Sequence, residues 1–93
     1  MKYIMLEGKN AAGQVQKVPI IFPDFLVHRF VADYSKAILV RYHNFEDCKV
    51  VSAGTIDLDV ESTVGESETC KVKANEKDAT IINGYNYFHG IET

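Results

Sequence analysis

The fold predicted from this sequence depends most on residues 25–45, FLVHRFVADYSKAILVRYHNF. Apolar side chains recur along them at steps of three and four, which is the spacing of one face of an α-helix. The predicted apolar stripe consists of Val27, Val31, Tyr34, Ile38, Tyr42 and Phe45, widened by Phe30 and Ala37. The opposite side carries Arg29, Asp33 and Lys36, which can form ion pairs at i+4 and i+3. We therefore predict a single amphipathic helix over this stretch.

Two details disturb this helical pattern. Leu39 and Val40 fall on the polar side, and Arg41 falls near the apolar stripe. One explanation is that the helix ends near Ala37 and that residues 38–42 form a strand. The other is that the helix continues and presents apolar residues to a partner. The continuous helix is the interpretation that we favour.

Strand patterns flank this helix on both sides. Residues 2–6 and 14–22 predict two strands before it, and Pro19 places the second at a sheet edge because proline donates no ladder hydrogen bond. Alternation over residues 48–60 and 69–74 predicts a hairpin after it, with a turn at residues 62–66. Asn75 then begins a short helix that ends at Asn83-Gly84.

These elements define a single domain over residues 1–93 of class α+β. The predicted order is ββαββα, with a mostly antiparallel sheet and one long and one short helix packed on one of its faces. A domain this small has a thin core, so self-association is expected to add burial.

Composition narrows the range of environments and partners. No apolar run approaches the roughly 20 residues that a membrane helix needs. The two cysteines, Cys48 and Cys70, indicate free thiols in a reducing cytoplasm. Residues 1–45 carry six Lys/Arg and three Asp/Glu, whereas residues 46–93 carry four and ten. This asymmetry makes nucleic acid an improbable partner and favours head-to-tail pairing of unlike surfaces.

One pattern resembles a metal-dependent nuclease. Asp24 follows Pro23, and Asp47 stands two residues before Lys49, as in a PD…DxK arrangement. There, two acids hold a divalent cation and the lysine orients the attacking water. The predicted helix of about four turns separates the two acids, so we keep this reading as an alternative only.

Other reactive residues predict little chemistry. His28 and His43 lie near opposite ends of the predicted helix, about 22 Å apart, so they cannot share a metal within one chain. We expect surface or cap histidines, no metal and no cofactor. The hydroxyl-rich residues 62–69 can cradle an anion, but Glu66 and Glu68 oppose one, and a plain turn is the simpler interpretation.

Aromatic and arginine residues are more suggestive of recognition. Both types are favoured at binding surfaces because each combines a large contact area with a polar tip. The predicted contact residues are Arg41, Tyr42, Tyr85, Tyr87 and His89. Arg41 can meet an anionic group, and the tyrosines can stack or donate hydrogen bonds.

Four stretches carry a resemblance to a known group of proteins. They are IIFPDFLVH (20–28), VVSAG (50–54), GESET (65–69) and KDATII (77–82), and they span about three quarters of the chain. Together they resemble small uncharacterised accessory proteins of bacteriophages and prophages. The resemblance implies a protein that acts in the cytoplasm of a bacterial host, and it supplies no catalytic residues.

The leading hypothesis is therefore a non-enzymatic binding protein that works as an oligomer. Its ligand would be a host protein or a small anionic, nucleotide-like molecule, and the resemblance adds a possible counter-defence role. The alternatives are the metal-dependent phosphodiesterase or nuclease and a minor structural protein of the phage.

Overall fold

The structure is a computed structural model that describes residues 1–57 and 62–84. Within these residues, six strands and two helices follow one another. They are β1 (Lys2–Lys9), β2 (Val15–Phe22), α1 (His28–His43), β3 (Glu46–Asp57), β4 (Ser62–Val64), β5 (Glu66–Ser67), β6 (Val72–Lys73) and α2 (Asp78–Gly84). The class is α+β, as predicted.

The main sheet has four strands in the order β2-β1-β3-β4, and every pairing in it is antiparallel. β2 pairs with β1 alone, so Pro19 lies in an edge strand as the sequence predicts. β1 is the central strand, and each residue from Tyr3 to Leu6 is fully buried. A continuous apolar run such as YIML is typical of a strand that is covered on both faces.

Helices α1 and α2 provide that cover from opposite sides. Ile4 and Leu6 of β1 belong to a core cluster with Val31 and Ala32 of α1. Tyr3 and Met5 belong to a second cluster with Ile82 of α2. Successive side chains of a strand point to opposite faces, so the two helices sandwich the sheet. The prediction that both helices lie on one face is wrong.

Helix α1 exists as predicted, but its orientation differs from the expectation. It runs unbroken through residues 38–42, which excludes the strand considered for that stretch. Its buried residues are His28, Val31, Ala32 and Ser35, with Leu39 packed against the same core. Val27, Tyr34 and Tyr42 of the predicted stripe are exposed. Val31 and Phe45 of that stripe are buried as predicted, but the small residues Ala32 and Ser35 also fill the narrow space against the sheet.

The predicted second hairpin is also wrong. β3 pairs with β4 through Thr55–Val64, Ile56–Thr63 and Asp57–Ser62, so the expected turn at residues 62–66 contains a strand. Residues 68–71 form a turn, and the two-residue strands β5 and β6 pair around it. The order ββαββα therefore holds only coarsely, because two additional short strands lie between β3 and α2.

The start of α1 is stabilised from outside the helix. Its N-cap residue, Val27, offers no side-chain acceptor. Instead, the backbone N–H of Arg29 donates to Oγ1 of Thr69 at 3.2 Å, and Thr69 lies in the β5–β6 turn. Ser67 fixes this turn, because its hydroxyl is within 3.2 Å of Oγ1 of Thr69 and accepts from the N–H of Cys70.

Replacing Thr69 tests this long-range cap. Thr69→Val keeps the shape of the side chain but removes the acceptor, so we expect a loss of about 1 kcal/mol in the free energy of unfolding. Thr69→Ser keeps the acceptor and is the matched control. Urea unfolding of the three proteins measures the effect. Equal midpoints for the Val and Ser variants would show that the contact contributes nothing.

Candidate functional site

The outward side of α1 and its N-cap carry a regular row of four apolar residues and one arginine. Its members, Val27, Phe30, Tyr34, Ala37 and Arg41, follow one another at steps of three, four, three and four, and we call them the outer seam. Such spacing keeps side chains on one face of a helix and is the pattern by which helices pair in coiled coils. The outer seam therefore has the form of a helix-pairing surface.

Exposure of the outer seam is high for such large side chains. Phe30 is 64% exposed and Tyr34 is 65% exposed, and Val27 is about half exposed. At 100° per residue, these positions lie opposite Ala32 and Leu39, which face the sheet. A contiguous exposed apolar row on a small domain marks an interaction site more often than scattered single residues do.

Two of the five predicted contact residues can be placed. Arg41 ends the outer seam, and its guanidinium carbon lies 5.8 Å from the centre of the Tyr42 ring. Tyr42 is 70% exposed but lies on the flank of α1, one residue away from the seam. Tyr85, Tyr87 and His89 lie outside the described residues, so their predicted role stays a prediction.

A small pocket lies between α1 and β3. Its volume is about 210 Å³, and it is lined by Arg29, Ala32, Lys36, Cys48, Lys49, Val50 and Cys70. Arg29 and Lys36 both pair with Asp33, and Lys49 is the cross-strand partner of Glu7, so its side chain lies on the opposite face of the sheet. The sequence gave no direct signal for this pocket, because its lining comes from α1, β3 and the β5–β6 turn.

A larger, open groove lies between β3 and the β5–β6 pair. It has a volume of about 640 Å³ and is lined by Val51, Ser52, Thr63, Val64, Gly65, Val72, Lys73, Ala74, Asn75 and Glu76. Three hydroxyls of residues 62–69, the stretch that could cradle an anion, instead form structural hydrogen bonds. Thr63 donates to the backbone oxygen of Asn75 at 2.6 Å, and Ser67 and Thr69 hold the start of α1.

A buried cluster of hydrogen-bonded polar side chains lies between the start of α2 and the main sheet. Oδ2 of Asp78 accepts hydrogen bonds from the hydroxyls of Tyr3, at 2.6 Å, and Ser52. The Tyr3 oxygen in turn accepts from the backbone N–H of Asn75 at 3.3 Å. Burial raises the pKa of Tyr3 to about 12, and the hydrogen bond to Asp78 acts in the same direction. The cluster joins β1, β3 and the start of α2.

The nuclease residues are far apart. Asp24 lies beside the N-terminal amine of Met1, at 3.5 Å, and therefore at the start of β1. Asp47 borders a small cavity with Glu7 and Lys9, at the other end of β1. Seven residues of strand separate these positions by roughly 20 Å. This arrangement gives no support to a shared cation.

Of the two histidines that the structure describes, His28 differs from the expected surface or cap position and His43 agrees with it. His28 is buried, and its Nε2–H donates to the backbone oxygen of Gly54 at 3.0 Å. Its ring packs edge-on against Phe22. His43 ends α1 and is exposed. Within the part of the chain that the structure describes, no group of three or more His, Cys, Asp and Glu side chains is placed to hold a metal ion.

Comparison with known proteins finds no match: no family model, no curated protein and no solved structure is similar to this chain. Among the described helices, none has the length and apolar character needed to cross a membrane. Both cysteines are free and half-buried. The site must therefore be interpreted from its own geometry.

The Tyr3–Asp78 hydrogen bond predicts how stability depends on alkaline pH. The pKa of Tyr3 rises from 10.0 to about 12 on folding, so the unfolded chain loses this proton first as the pH rises. Stability that is complete below pH 10 is then lost between pH 10 and about 12. One pKa unit corresponds to about 1.4 kcal/mol, so the loss is about 2 to 3 kcal/mol.

Urea unfolding across this pH range, compared between the natural protein and Tyr3→Phe, isolates the contribution of Tyr3 from that of the other tyrosines. The difference in unfolding free energy between the two proteins should shrink as the pH rises. A difference that stays constant to pH 12 would contradict the buried, hydrogen-bonded phenol.

Proposed function

We propose that this protein acts by non-enzymatic binding and that its working form is a pair of copies joined through the outer seam of α1. The observation that carries the proposal is the row of exposed apolar side chains at helix-pairing spacing, with Phe30 and Tyr34 each about two thirds exposed. Burying such rings stabilises an association by roughly 1.5 to 3 kcal/mol each.

The outer seam is complementary to itself in an antiparallel arrangement. When a two-fold axis passes between Tyr34 and Ala37, each Tyr34 ring of one copy faces the small Ala37 of the other. Large and small side chains then interlock, as knobs and holes do in paired helices. A two-fold contact of this kind uses the same patch on both copies and closes after two, which is the commonest symmetry of soluble oligomers.

Charge supports the same arrangement. Arg41 is the one charged residue of the outer seam, and antiparallel pairing brings it over Phe30 of the second copy. A cation over an aromatic face contributes about 0.5 to 2 kcal/mol. Parallel pairing would instead place Arg41 against Arg41, which is unfavourable. The seam therefore fits a second copy of the chain in one orientation.

This proposal replaces the head-to-tail pairing that the charge asymmetry favours. α1 lies wholly in the basic first half of the sequence, and its Arg29, Asp33 and Lys36 pair with one another. The resemblance to phage accessory proteins, a host protein as target and a counter-defence role stay predictions.

Two substitutions of Phe30 by charged residues test the pairing and its antiparallel direction together. Phe30→Lys removes the ring and sets a cation against Arg41, so we expect the dimer dissociation constant to rise about 30-fold or more. Phe30→Glu removes the same ring but attracts Arg41, so its effect should be severalfold smaller. Analytical ultracentrifugation over a concentration series measures both constants.

Val15→Lys is the matched control, because Val15 is 66% exposed but lies on β2, away from the seam. Its dissociation constant should equal that of the natural protein. A natural protein that stays monomeric at high concentration would end the proposal. Equal effects of Lys and Glu at position 30 would retain a dimer but contradict the antiparallel orientation.

A further inference from the structure

We propose that Cys48 and Cys70 form a reversible disulfide bond across the small pocket between α1 and β3, and that this bond loosens the start of α1. They are the two cysteines of the chain, and both thiols are free and half-buried. Cys48 belongs to β3 and Cys70 to the β5–β6 turn, and both line this pocket of about 210 Å³. Two elements that are distant in the sequence therefore bring the thiols to one concave space.

Both thiols lie on the face of the sheet that α1 covers. Val50 of β3 packs against the core cluster on that face, and Cys48, two residues earlier, points the same way because the side chains of a strand alternate. Gly8 of β1 leaves room for it, since a Cβ atom at Gly8 would lie 2.8 Å from Sγ of Cys48. Cys70 packs against the same core cluster. Neither thiol has to cross the sheet to reach the other.

The β5–β6 turn is the wall of the pocket that can move. The two strands beside it are joined by two residue pairs, Glu66–Lys73 and Ser67–Val72, and most of the turn is exposed. Segments with few buried contacts open at a low cost in free energy. Cys48, by contrast, is fixed in a strand that pairs with β1 over most of its length. A disulfide needs Cα atoms about 4.4 to 6.8 Å apart, so the turn closes toward β3 and fills the pocket.

The reaction uses an oxidant of the hydrogen peroxide class. The first thiolate attacks one peroxide oxygen, the O–O bond breaks, and a sulfenic acid and, with the proton of the thiol, a water molecule form. The second thiol attacks the sulfenic sulfur, so the S–S bond forms and a second water leaves. Burial raises the pKa of the Cys48 thiol, although the neighbouring Lys36 acts in the opposite direction. Because a thiolate is the nucleophile, the first attack falls to Cys70.

Closure of the turn acts on the start of α1. Thr69, the neighbour of Cys70, accepts a hydrogen bond from the backbone N–H of Arg29 at 3.2 Å. The N–H groups of the first helical turn have no partner within the helix. Movement of Cys70 toward β3 draws Thr69 away from Arg29, and the bond is lost beyond about 3.5 Å. Val27 and Phe30 of the outer seam lie beside Arg29 in the chain, so this end of the seam is less firmly held in the oxidised form.

Mass spectrometry of the full chain, treated with hydrogen peroxide at low protein concentration, tests the bond. We expect the loss of two hydrogen atoms per chain, a linked Cys48–Cys70 peptide after digestion, and the original mass after dithiothreitol. Cys48→Ser and Cys70→Ser should each form no bond within the chain. A bond between copies instead, or oxidation to sulfinic acid without any bond, would overturn the proposal.

The matched control moves one thiol out of the pocket. When Cys70→Ser is combined with Val64→Cys, the second thiol stands at an exposed position of β4 that is not part of the pocket lining. We expect its disulfide to form at least about tenfold more slowly, because the two thiols no longer share one space. Equal rates in this variant and the natural protein would show that the pocket does not favour the bond, and would overturn the proposal.

Hydrogen exchange of the Arg29 amide, followed by nuclear magnetic resonance, tests the effect on α1. We expect exchange about fivefold faster in the oxidised than in the reduced protein, as the loss of one helix-capping hydrogen bond produces. Thr69→Val lacks this bond already, so its Arg29 amide should exchange fast in both forms. Equal exchange in the two forms of the natural protein would contradict the loosening of α1.

One consequence rests on the proposed pairing of copies: the oxidised protein should dimerise severalfold more weakly than the reduced protein. The disulfide itself can be measured on Phe30→Lys, in which pairing is weakened, and it should form there at the natural rate, since Phe30 is not part of the pocket lining. A natural protein that forms the disulfide but never pairs would end the pairing proposal alone. Loss of the disulfide in Phe30→Lys would contradict a bond within one chain.

Discussion

Helix α1 lies on the sheet through short side chains, and this close contact determines which residues remain for recognition. Ala32 and Ser35 allow the helix axis to approach β1 and β3, while Val31 and Leu39 fill the space on either side. α1 contacts the core through small residues and also carries the exposed rings of Phe30 and Tyr34, so it has two apolar faces. An apolar face of a helix is normally covered by another element or by a partner. In one copy of this domain, the outer face is uncovered.

The main sheet depends on its central strand, β1, which α1 covers on one face and α2 on the other. β1 sends Ile4 and Leu6 toward α1 and Tyr3 and Met5 toward α2, so residues 3–6 are buried on both faces. The buried carboxylate of Asp78 is stabilised by two hydroxyl donors, because an unpaired charge at that depth would be very costly. Asp78 of α2 and Ser52 of β3 are thus used for stability, and the proposed pairing uses α1.

Sequence periodicity was sufficient for some of these features. It predicted the class, the existence of α1, the edge position of β2 and the short helix α2. It misplaced the inner face of α1, because bulk and hydrophobicity are poor guides when a helix has two apolar faces. The sequence did show one sign of a second apolar face: Leu39 and Val40 fell on the predicted polar side, and Arg41 fell near the predicted apolar stripe. The run YIML in β1 was the corresponding sign that the helices lie on opposite sides.

The site was harder to predict than the fold. Arg41 was singled out for its chemistry, and the structure places it at the end of the outer seam. Phe30 and Tyr34 were assigned to the core, so the seam they form was not predicted. The small pocket depends on the packing of β3 against α1, and only the folded chain brings Cys48, Val50 and Cys70 to Arg29 and Lys36. Short β strands such as β5 and β6 also escape periodicity, since two residues cannot show alternation.

The central claim is that α1 pairs with α1 of a second copy in antiparallel orientation. An isotope-filtered nuclear Overhauser experiment on a mixture of labelled and unlabelled protein detects only contacts between copies. The account predicts cross-peaks from the Phe30 ring of one copy to the Arg41 side chain of the other, and from Tyr34 to Ala37. Contacts between Phe30 and Phe30, or the absence of any contact between copies at concentrations where a dimer forms, would contradict it.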